Sequence, residues 1–452
     1  MNILIAVHHF PPDYQEGAEQ RAWRTARALM SRGHTVRVLC VDRIDVGSAA
    51  GLTWRDEEHD GVRVRRLSFN LAAAPDPARF EYDNAWIGDH LRIYLQELMR
   101  GGPSESIDVV HLISGYLMTG STLRVAQELG IPTVVSLTDF WFLCPRIQML
   151  RSDGTRSTLP IDPVRCARCL GEQQRRYRLP AKVLPNAWVQ SYWKGQTGRV
   201  QQIQRRTEFL RETLNHAQAI ISPSQFLRHM FVDAGVQAER IVFSRQGRDF
   251  AHLSPAEVQK TPSPILRLGY LGKVSELKGV HVAVEAMRLL KGQKVSLQIY
   301  GNISQDEDYV EKLRADIYHD PRIRIEGPYA PRELTGVMQS LDATLVPSMW
   351  YENSPNVILE AQAHRTPVIA SNLGGMAELV KHDHNGLCFT VEDAADLARQ
   401  IQRLLDEPEL LKQLQAGIEP IKSVAQEMDE LEATYRRVQP ANPVQTPQVM
   451  PA

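Results

Sequence analysis

Strand-like and helix-like segments alternate along this chain in two series, and that alternation limits what it can fold into. The first series contains five runs rich in β-branched and aliphatic residues: "NILIAV", "TVRVLCV", "DVVHLI", "PTVVSLTD" and "AIISPS". Helical spacing of apolar residues separates the first two runs, and Gly33 follows where a helix would end. Strands that alternate with helices predict a parallel sheet covered on both faces.

A proline-rich stretch separates the two series. We predict a first domain over residues 1–250, a linker over 251–264 and a second α/β domain over 265–424. A helix over 425–438 follows, because Met428, Leu431, Tyr435 and Val438 form one apolar stripe. The last residues, 439–452, are proline-rich and are expected to be disordered.

Length, charge and cysteine content narrow the class of protein. The chain has 452 residues and a net charge of -1, so no overall positive field indicates a nucleic-acid partner. No apolar run approaches the length of a membrane span. Five cysteines and a first segment without signal-peptide features favour reduced thiols in the cytoplasm.

Two glutamates in "YENSPNVILEAQAHRTPVIAS" lie close to the end of a predicted strand. Glu352 precedes a helix that Pro355 limits to a start near 354–356, and Glu360 then falls in its second turn. In parallel sheets, ligands bind beyond the carboxyl ends of the strands. The two carboxylates would suit the hydroxyls of a nucleotide sugar, although their spacing alone favours two solvated glutamates that flank a buried helix.

Basic residues and a glycine follow other predicted strands. Lys273 and Lys278 in "YLGKVSELKGV" could neutralise a diphosphate, in which case no metal is required. Gly17 lies in the first strand-to-helix loop, where a side chain would keep a ligand from the backbone. Each of these residues also has an ordinary structural explanation.

Together, four segments resemble the retaining glycosyltransferases of family 4. They are "PPDYQEGAEQRAWRTARALMSRGHTVRVLC", "LTDFWFLCPR", "YLGKVSELKGV" and "WYENSPNVILEAQAHRTPVIASNLGGMAELVKHDHNGL". The resemblance covers residues 1 to about 438. It implies a GT-B fold: two Rossmann-like, doubly wound domains face a cleft, and a C-terminal helix crosses back to the first domain. "LCPR" and "WYENSP" are similar to the branch that assembles exopolysaccharide and O-antigen.

The resemblance also implies roles for individual residues. Lys273 and Lys278 would hold the donor's diphosphate, Glu352 would contact the donor sugar and Glu360 the ribose. The catalytic group would be Lys273, Lys278 and Glu352, and the acceptor side would include Asp139 and Arg146. The implied donor-binding set is Gly17, Lys273, Lys278, Glu352, Asn353, Ser354, Asn356, Val357 and Glu360.

Three positions depart from the family pattern. Lys273 stands where an arginine is more usual, which keeps the charge but loses bidentate geometry. Glu16 replaces one of two glycines in the first loop, and Thr138 replaces a histidine that contacts the sugar in many members.

The implied activity is retaining transfer of a sugar from a UDP- or GDP-linked donor to a glycan or lipid-linked acceptor, with no cofactor and no metal. The alternatives are a nucleotide-sugar epimerase of the same fold and a binding protein with a degenerate site. A dinucleotide-dependent oxidoreductase is disfavoured because no G-x-G-x-x-G follows the first strand.

Two further features of the first domain leave alternatives open. Cys144, Cys166 and Cys169 indicate either free thiols or a structural zinc site. A basic, aromatic insertion over about 172–211 is either a solvated helical insertion or a contact with an anionic membrane surface, where Trp188 and Trp193 would act as interfacial anchors. On the second reading the enzyme would be peripheral on the inner face of the cell membrane.

Overall fold

The computed structural model describes residues 1–14, 17–46, 51–250, 253, 258–304 and 306–439. Within these residues the chain forms two compact units. Unit 1 comprises 1–222, 228–244 and the chain from 425 onwards, and unit 2 comprises 223–227 and 245–424. Glu16, residues 251, 252 and 254–257 of the predicted linker, and the tail from residue 440 lie outside the described residues.

Unit 1 is built on an eight-stranded sheet in the order β3-β4-β2-β1-β5-β6-β7-β8. All neighbouring strands pair in parallel except β3 and β4, which are antiparallel. The strands are β1 Asn2–Val7, β2 Thr35–Arg43, β3 Leu52–His59, β4 Val62–Phe69, β5 Val109–Ile113, β6 Thr133–Ser136, β7 Ala219–Ser222 and β8 Ile241–Phe243. The predicted parallel sheet is therefore confirmed for its centre. At the edge, β3 and β4 add an antiparallel pair that the sequence pattern did not predict, and a two-residue turn at Asp60 and Gly61 returns the chain.

The helices of unit 1 lie between these strands and in the insertion. They are α1 Gly17–Ser31, α2 Pro77–Phe80, α3 Ala85–Arg100, α4 Thr119–Glu128, α5 Pro163–Gly171, α6 Arg175–Val183, α7 Asn186–Gly195, α8 Thr197–Asn215 and α9 Gln225–Asp233. The first residues of α9, up to 227, belong to unit 2. The helix predicted between the first two strands is confirmed as α1.

The insertion folds around its own small core. Trp193 is 2% exposed and packs with Ala167 and Val189, and a Cβ atom on Gly171 would lie only 1.9 Å from its ring. The prediction that Trp193 anchors the protein at an interface is therefore wrong, because its ring fills the space that Gly171 leaves. Trp188, by contrast, is 68% exposed.

The C-terminal helix packs into unit 1, as predicted. The Tyr435 hydroxyl lies 2.6 Å from Nδ1 of His111 on β5, and the His111 Nε2 atom lies 2.8 Å from the Ser136 hydroxyl. Tyr435 is fully buried, and Glu427 forms an ion pair with Arg21. These buried polar contacts fix the helix on the sheet of the first unit.

Unit 2 is built on a six-stranded, parallel sheet in the order β11-β10-β9-β12-β13-β14. The strands are β9 Leu266–Leu271, β10 Val295–Tyr300, β11 Ile323–Gly327, β12 Ala343–Val346, β13 Val368–Ser371 and β14 Gly386–Phe389. The helices are α10 Val280–Leu289, α11 Glu307–Ile317, α12 Leu334–Gln339, α13 Asn356–Ala363, α14 Gly374–Leu379, α15 Ala394–Asp406, α16 Leu410–Ala416 and α17 Val424–Val438. Of these, α17 belongs to unit 1 from residue 425 onwards.

Two apolar clusters cover the two faces of this sheet. One contains residues of α10, α11, α15 and α16, and the other contains residues of α12, α13 and α14. The sheet is thus doubly wound, and the loops after its strands meet at one edge. Since β9 and β12 are parallel neighbours, the loop that carries Lys278 lies beside the loop that carries Glu352.

Candidate functional site

The candidate site in unit 2 centres on the carboxylate of Glu352. Its Oε1 atom accepts hydrogen bonds from Nζ of Lys278 at 2.6 Å, from the Ser348 hydroxyl at 3.0 Å and from Nε1 of the Trp350 indole at 3.0 Å. Three donors thus converge on one carboxylate oxygen. Oε2 receives no hydrogen bond from the described residues, so it can accept one from a ligand.

The indole of Trp350 contacts both members of this ion pair. Besides its hydrogen bond to Glu352, its ring centre lies 5.2 Å from Nζ of Lys278, which is within the range of a cation–π contact. Neither Trp350 nor Ser348 was given a role from the sequence. Their signal was their position in the loop after a buried strand, where Trp350 begins the segment that carries the family resemblance.

Close backbone approach at Gly279 holds the neighbouring loops together. Gly279 has a φ of +69°, and a Cβ atom there would lie 2.0 Å from the carbonyl oxygen of Pro347. The Met349 amide also donates to the Leu277 carbonyl at 2.9 Å. Any side chain at 279 would therefore separate the loops that carry Lys278 and Glu352.

Lys273 differs from Lys278 in its surroundings. Its side chain is exposed, and only its backbone is held, by the Tyr270 hydroxyl that donates to its carbonyl at 2.5 Å. Lys273 therefore presents a solvated cation at the end of β9, whereas Lys278 is already paired.

Glu360 lies in the second turn of α13, as predicted, and Glu352 lies in the preceding loop. Burial raises the pKa of the Glu360 carboxyl, and the charge of Arg248 acts in the opposite direction. The Glu360 charge in turn adds to burial in raising the pKa of Tyr329. An acceptor in this poorly solvated position would bind neutral hydroxyl donors strongly.

The residues between the two glutamates form the turn into α13. The Ser354 hydroxyl is buried and makes no hydrogen bond within the described residues. Asn353 lies against Gly375, since a Cβ atom at 375 would be 1.8 Å from the Asn353 carbonyl oxygen. The Gly375 amide donates to the Glu352 carbonyl at 2.7 Å. Asn356 and Val357 are the first two residues of α13 and are half-buried.

The residues predicted in unit 1 are Gly17, Asp139 and Arg146. Gly17 is the first residue of α1, and a Cβ atom there would meet no atom within 4 Å, so packing does not require the glycine. The Asp139 carboxylate accepts hydrogen bonds from Ser114, Thr138 and the Trp141 amide. Thr138, at the position of the missing histidine, thus orients Asp139.

Arg146 lies close to the three cysteines that the sequence singled out, Cys144, Cys166 and Cys169. Arg146 donates to the Leu150 carbonyl at 3.1 Å and to the sulfur of Cys169 at 3.4 Å. The pKa of the Cys166 thiol is raised to about 12 by burial, with Cys144 and Cys169 nearby. In the described part of the chain, no group of three His, Cys, Asp or Glu residues is arranged to hold a metal ion.

A second polar pair in unit 1 had no counterpart in the sequence analysis. Nε2 of His8, directly after β1, lies 3.0 Å from the Glu19 carboxylate in α1, and both side chains are largely buried. Tyr116 packs edge-on against the His8 ring. His8 begins the first strand-to-helix loop and Glu19 lies in the first turn of α1, a region in which the sequence singled out only Glu16 and Gly17.

Comparison with known proteins identifies the class to which this fold and site belong. The family described as "Glycosyl transferase 4-like domain" matches residues 16–247, and "Glycosyl transferases group 1" matches residues 265–407. The first match alone covers more than half of the chain, and the chain therefore belongs to this family of glycosyltransferases. The resemblance to family 4 is confirmed.

Individual relatives agree with this assignment. The glycogen synthase of Mycobacterium tuberculosis (strain ATCC 25618 / H37Rv) is 26% identical over 420 residues, which cover 90% of this chain and 87% of the relative. The putative colanic acid biosynthesis glycosyltransferase WcaL of Escherichia coli (strain K12) is 31% identical over 174 residues, 37% of this chain and 42% of the relative.

Solved structures extend the comparison to the fold. Anabaena Alr3699/HepE in complex with UDP has a TM-score of 0.64 at 16% identity, and the match covers 96% of this chain and 99% of that one. Sucrose-phosphate synthase from Thermosynechococcus elongatus has a TM-score of 0.63 at 17% identity, with 97% and 98% covered. The predicted GT-B fold is confirmed by this likeness. Of the helices in the described ranges, none has the length and hydrophobicity of a transmembrane span.

Proposed function

We propose that this glycosyltransferase moves a sugar, with retention of anomeric configuration, from a nucleotide-diphosphate sugar to a glycan or lipid-linked acceptor in polysaccharide assembly. The observation that carries the proposal is the convergence of Lys278, Ser348 and Trp350 on one oxygen of Glu352. This arrangement holds a carboxylate, with one oxygen free to accept a sugar hydroxyl, beside a cation that can bind a diphosphate. A sugar attached to a diphosphate requires both groups.

The two lysines would act on the leaving group. Negative charge grows on the departing phosphate in the transition state, and a cation placed there stabilises it more than it stabilises the ground state. Lys278 would exchange its contact with Glu352 for the phosphate, and the exposed Lys273 would approach from the end of β9. With charge supplied by lysines, the reaction is proposed to need no metal ion or other cofactor.

The two glutamates would hold the two sugars of the donor. Oε2 of Glu352 would accept a hydroxyl hydrogen of the transferred sugar, while its Oε1 stays fixed by Ser348 and Trp350. Glu360 would accept hydrogen bonds from the ribose, and the buried Ser354 hydroxyl lies in the same turn. UDP fits this scheme, and solved structures of Anabaena Alr3699/HepE contain UDP and UDP-glucose.

Retention follows in this proposal from attack on the same face of the sugar, with the leaving phosphate taking the proton of the acceptor hydroxyl. The C1–O bond to the diphosphate breaks as the bond from C1 to the acceptor oxygen forms. The acceptor class is proposed from the resemblance to polysaccharide-assembling enzymes, and WcaL is named for colanic acid biosynthesis. Asp139 and Arg146 remain the predicted acceptor-side residues.

The test uses the full chain, UDP- and GDP-sugars and a panel of sugar and lipid-linked acceptors. Proton NMR of the product should show the same anomeric configuration as in the donor. EDTA should leave the rate of transfer unchanged. Inverted product would contradict the retaining mechanism. Loss of activity in EDTA that manganese restores would contradict the role of the lysines. Epimerised free donor without transfer would favour the epimerase.

A further inference from the structure

The surface of α6 and α7 carries an unusual cluster of exposed apolar side chains, which we call the α6–α7 tip. In the described residues, eleven large hydrophobic side chains are exposed, and five of them lie within the fourteen residues 179–192. They are Leu179 (51%), Val183 (81%), Leu184 (44%), Trp188 (68%) and Tyr192 (48%). Such a concentration of exposed apolar side chains on one part of a protein surface indicates a contact with a membrane or with another molecule.

The arrangement of these side chains follows from the helices that carry them. Leu179 and Val183 are four residues apart on α6, and Trp188 and Tyr192 are four apart on α7, so each pair shares one helical face. The neighbouring face of α7 is buried through Val189 and Trp193. The small core therefore holds the two helices while the tip, including every residue from 182 to 188, stays exposed.

The segment that carries the tip is basic. Residues 173–207 contain eight lysines and arginines, of which Arg206 is buried, and no aspartate or glutamate. The whole chain has 52 basic and 53 acidic residues, so the rest of the chain carries 44 against 53. Arg175, Arg176 and Arg178 are exposed on α6 beside the tip. A basic segment on an otherwise acidic protein would orient the molecule toward an anionic surface.

We infer that the α6–α7 tip is a membrane-docking surface that inserts its apolar side chains at the interface of a bilayer containing anionic lipids. Tryptophan and tyrosine favour the interfacial region, and Val183 and Leu179 would enter the edge of the acyl layer. Basic residues near the surface add attraction to anionic headgroups. A protein partner would need an acidic patch around an apolar centre, whereas an anionic bilayer offers both without further specificity. The inference depends on a surface of unit 1 and is independent of the donor site.

The experiment measures co-flotation of the full chain with phosphatidylcholine vesicles, with and without phosphatidylglycerol. Binding is expected only to the anionic vesicles, and it should weaken as salt shortens the screening length to about 8 Å or less. The variant Arg175→Gln/Arg176→Gln/Arg178→Gln should bind roughly a hundredfold more weakly, since each basic residue near a membrane contributes about 1 kcal/mol. Trp188→Ala should remove most of the binding that remains at high salt.

Matched variants in unit 2 test whether binding depends on the α6–α7 tip or on exposed charged and apolar side chains in general. Lys291→Gln/Lys294→Gln/Arg314→Gln removes three exposed charges from unit 2, and Tyr318→Ala removes an aromatic side chain that is 80% exposed. Both should bind vesicles like the wild type. Thermal melts check that every variant is folded. Absence of flotation at low salt, or equal loss in the unit 2 variants, would overturn the inference. A concentration-dependent dimer that forms without lipid and disappears in Trp188→Ala would assign the tip to a second copy of the chain instead.

Discussion

Nζ of Lys278 lies 2.6 Å from Oε1 of Glu352, so a cation from the loop after β9 is paired with a carboxylate from the loop after β12. The side chains are 28% and 13% exposed, which leaves the pair open to an incoming ligand. A diphosphate would compete for Lys278, while Ser348 and Trp350 would keep Glu352 in place.

Lys278→Ala should lower turnover by about 10²–10³-fold, because the leaving phosphate would lose a charge that acts in the transition state. The unfolding free energy should change by no more than about 1 kcal/mol, since partly exposed ion pairs contribute little. Steady-state kinetics and thermal melts measure both. Lys291→Ala, an exposed lysine in the same unit, is the control. Wild-type turnover in Lys278→Ala would exclude the lysine from the reaction.

Trp350→Phe should weaken binding of the sugar nucleotide by roughly tenfold or more, while binding of the free nucleotide stays near the wild type. The variant keeps an aromatic ring beside Lys278 but loses the indole N–H that holds Glu352, and a hydrogen bond to a charged group contributes about 1.5–3 kcal/mol. Calorimetry with UDP and UDP-glucose measures the two affinities. Equal losses for both ligands would show that Trp350 acts on the fold of the loop and not on Glu352.

The sequence predicted the strands and the loops that carry the site, but not which side chains meet. Lys278 and Glu352 are 74 positions apart, and their contact depends on β9 pairing with β12 although two strands intervene in the chain. Periodicity reports which residues are buried in an element and says little about the order of strands in a sheet. The motif itself was visible because its residues are contiguous.

Three features of the structure were not visible in the sequence pattern, each for its own physical reason. Trp193 and Trp188 are both aromatic residues in a basic segment, and only packing against Gly171 distinguishes the buried one from the exposed one. The antiparallel β3 carries charged residues on both faces, so its pattern did not identify it as a strand. Trp350 was missed because a single indole N–H has no periodic signal.

Glu360→Ala should weaken nucleotide binding by roughly tenfold or more, because the ribose hydroxyls would lose a charged acceptor that contributes about 1.5–3 kcal/mol. Calorimetric titration with UDP and GDP measures the effect. Glu326→Ala, a carboxylate on β11 that is exposed, serves as the control. An unchanged affinity in Glu360→Ala would remove this residue from the donor site.

Glu360→Gln should be more stable than the wild type at pH 8, and the difference should shrink as the pH falls toward the carboxyl's ordinary pKa of 4.5. Burial raises the pKa of Glu360 in the folded protein, so the folded state favours the protonated form. Above the raised pKa the wild type must bury a charge that glutamine lacks, and below 4.5 the two side chains are both neutral. Thermal melts between pH 8 and pH 5 measure the difference. A difference that grows on acidification would mean that Arg248 outweighs burial.

Tyr435→Phe should lower the free energy of unfolding of the first unit by about 1–3 kcal/mol, because Nδ1 of the buried His111 would lose its partner. Burial lowers the pKa of His111 to about 3, so the folded protein holds the ring neutral. A histidine with a depressed pKa contributes stability above its ordinary value of 6.5, and that contribution is lost as the pH falls toward 3. Chemical denaturation at pH 7.5 and pH 5 should therefore show a decline in the free energy of unfolding that His111→Asn lacks.

Tyr318→Phe, at a side chain that is 80% exposed, should match the wild type within about 0.5 kcal/mol. If Tyr435→Phe shows the same small effect, the hydroxyl does not fix the C-terminal helix on the first unit.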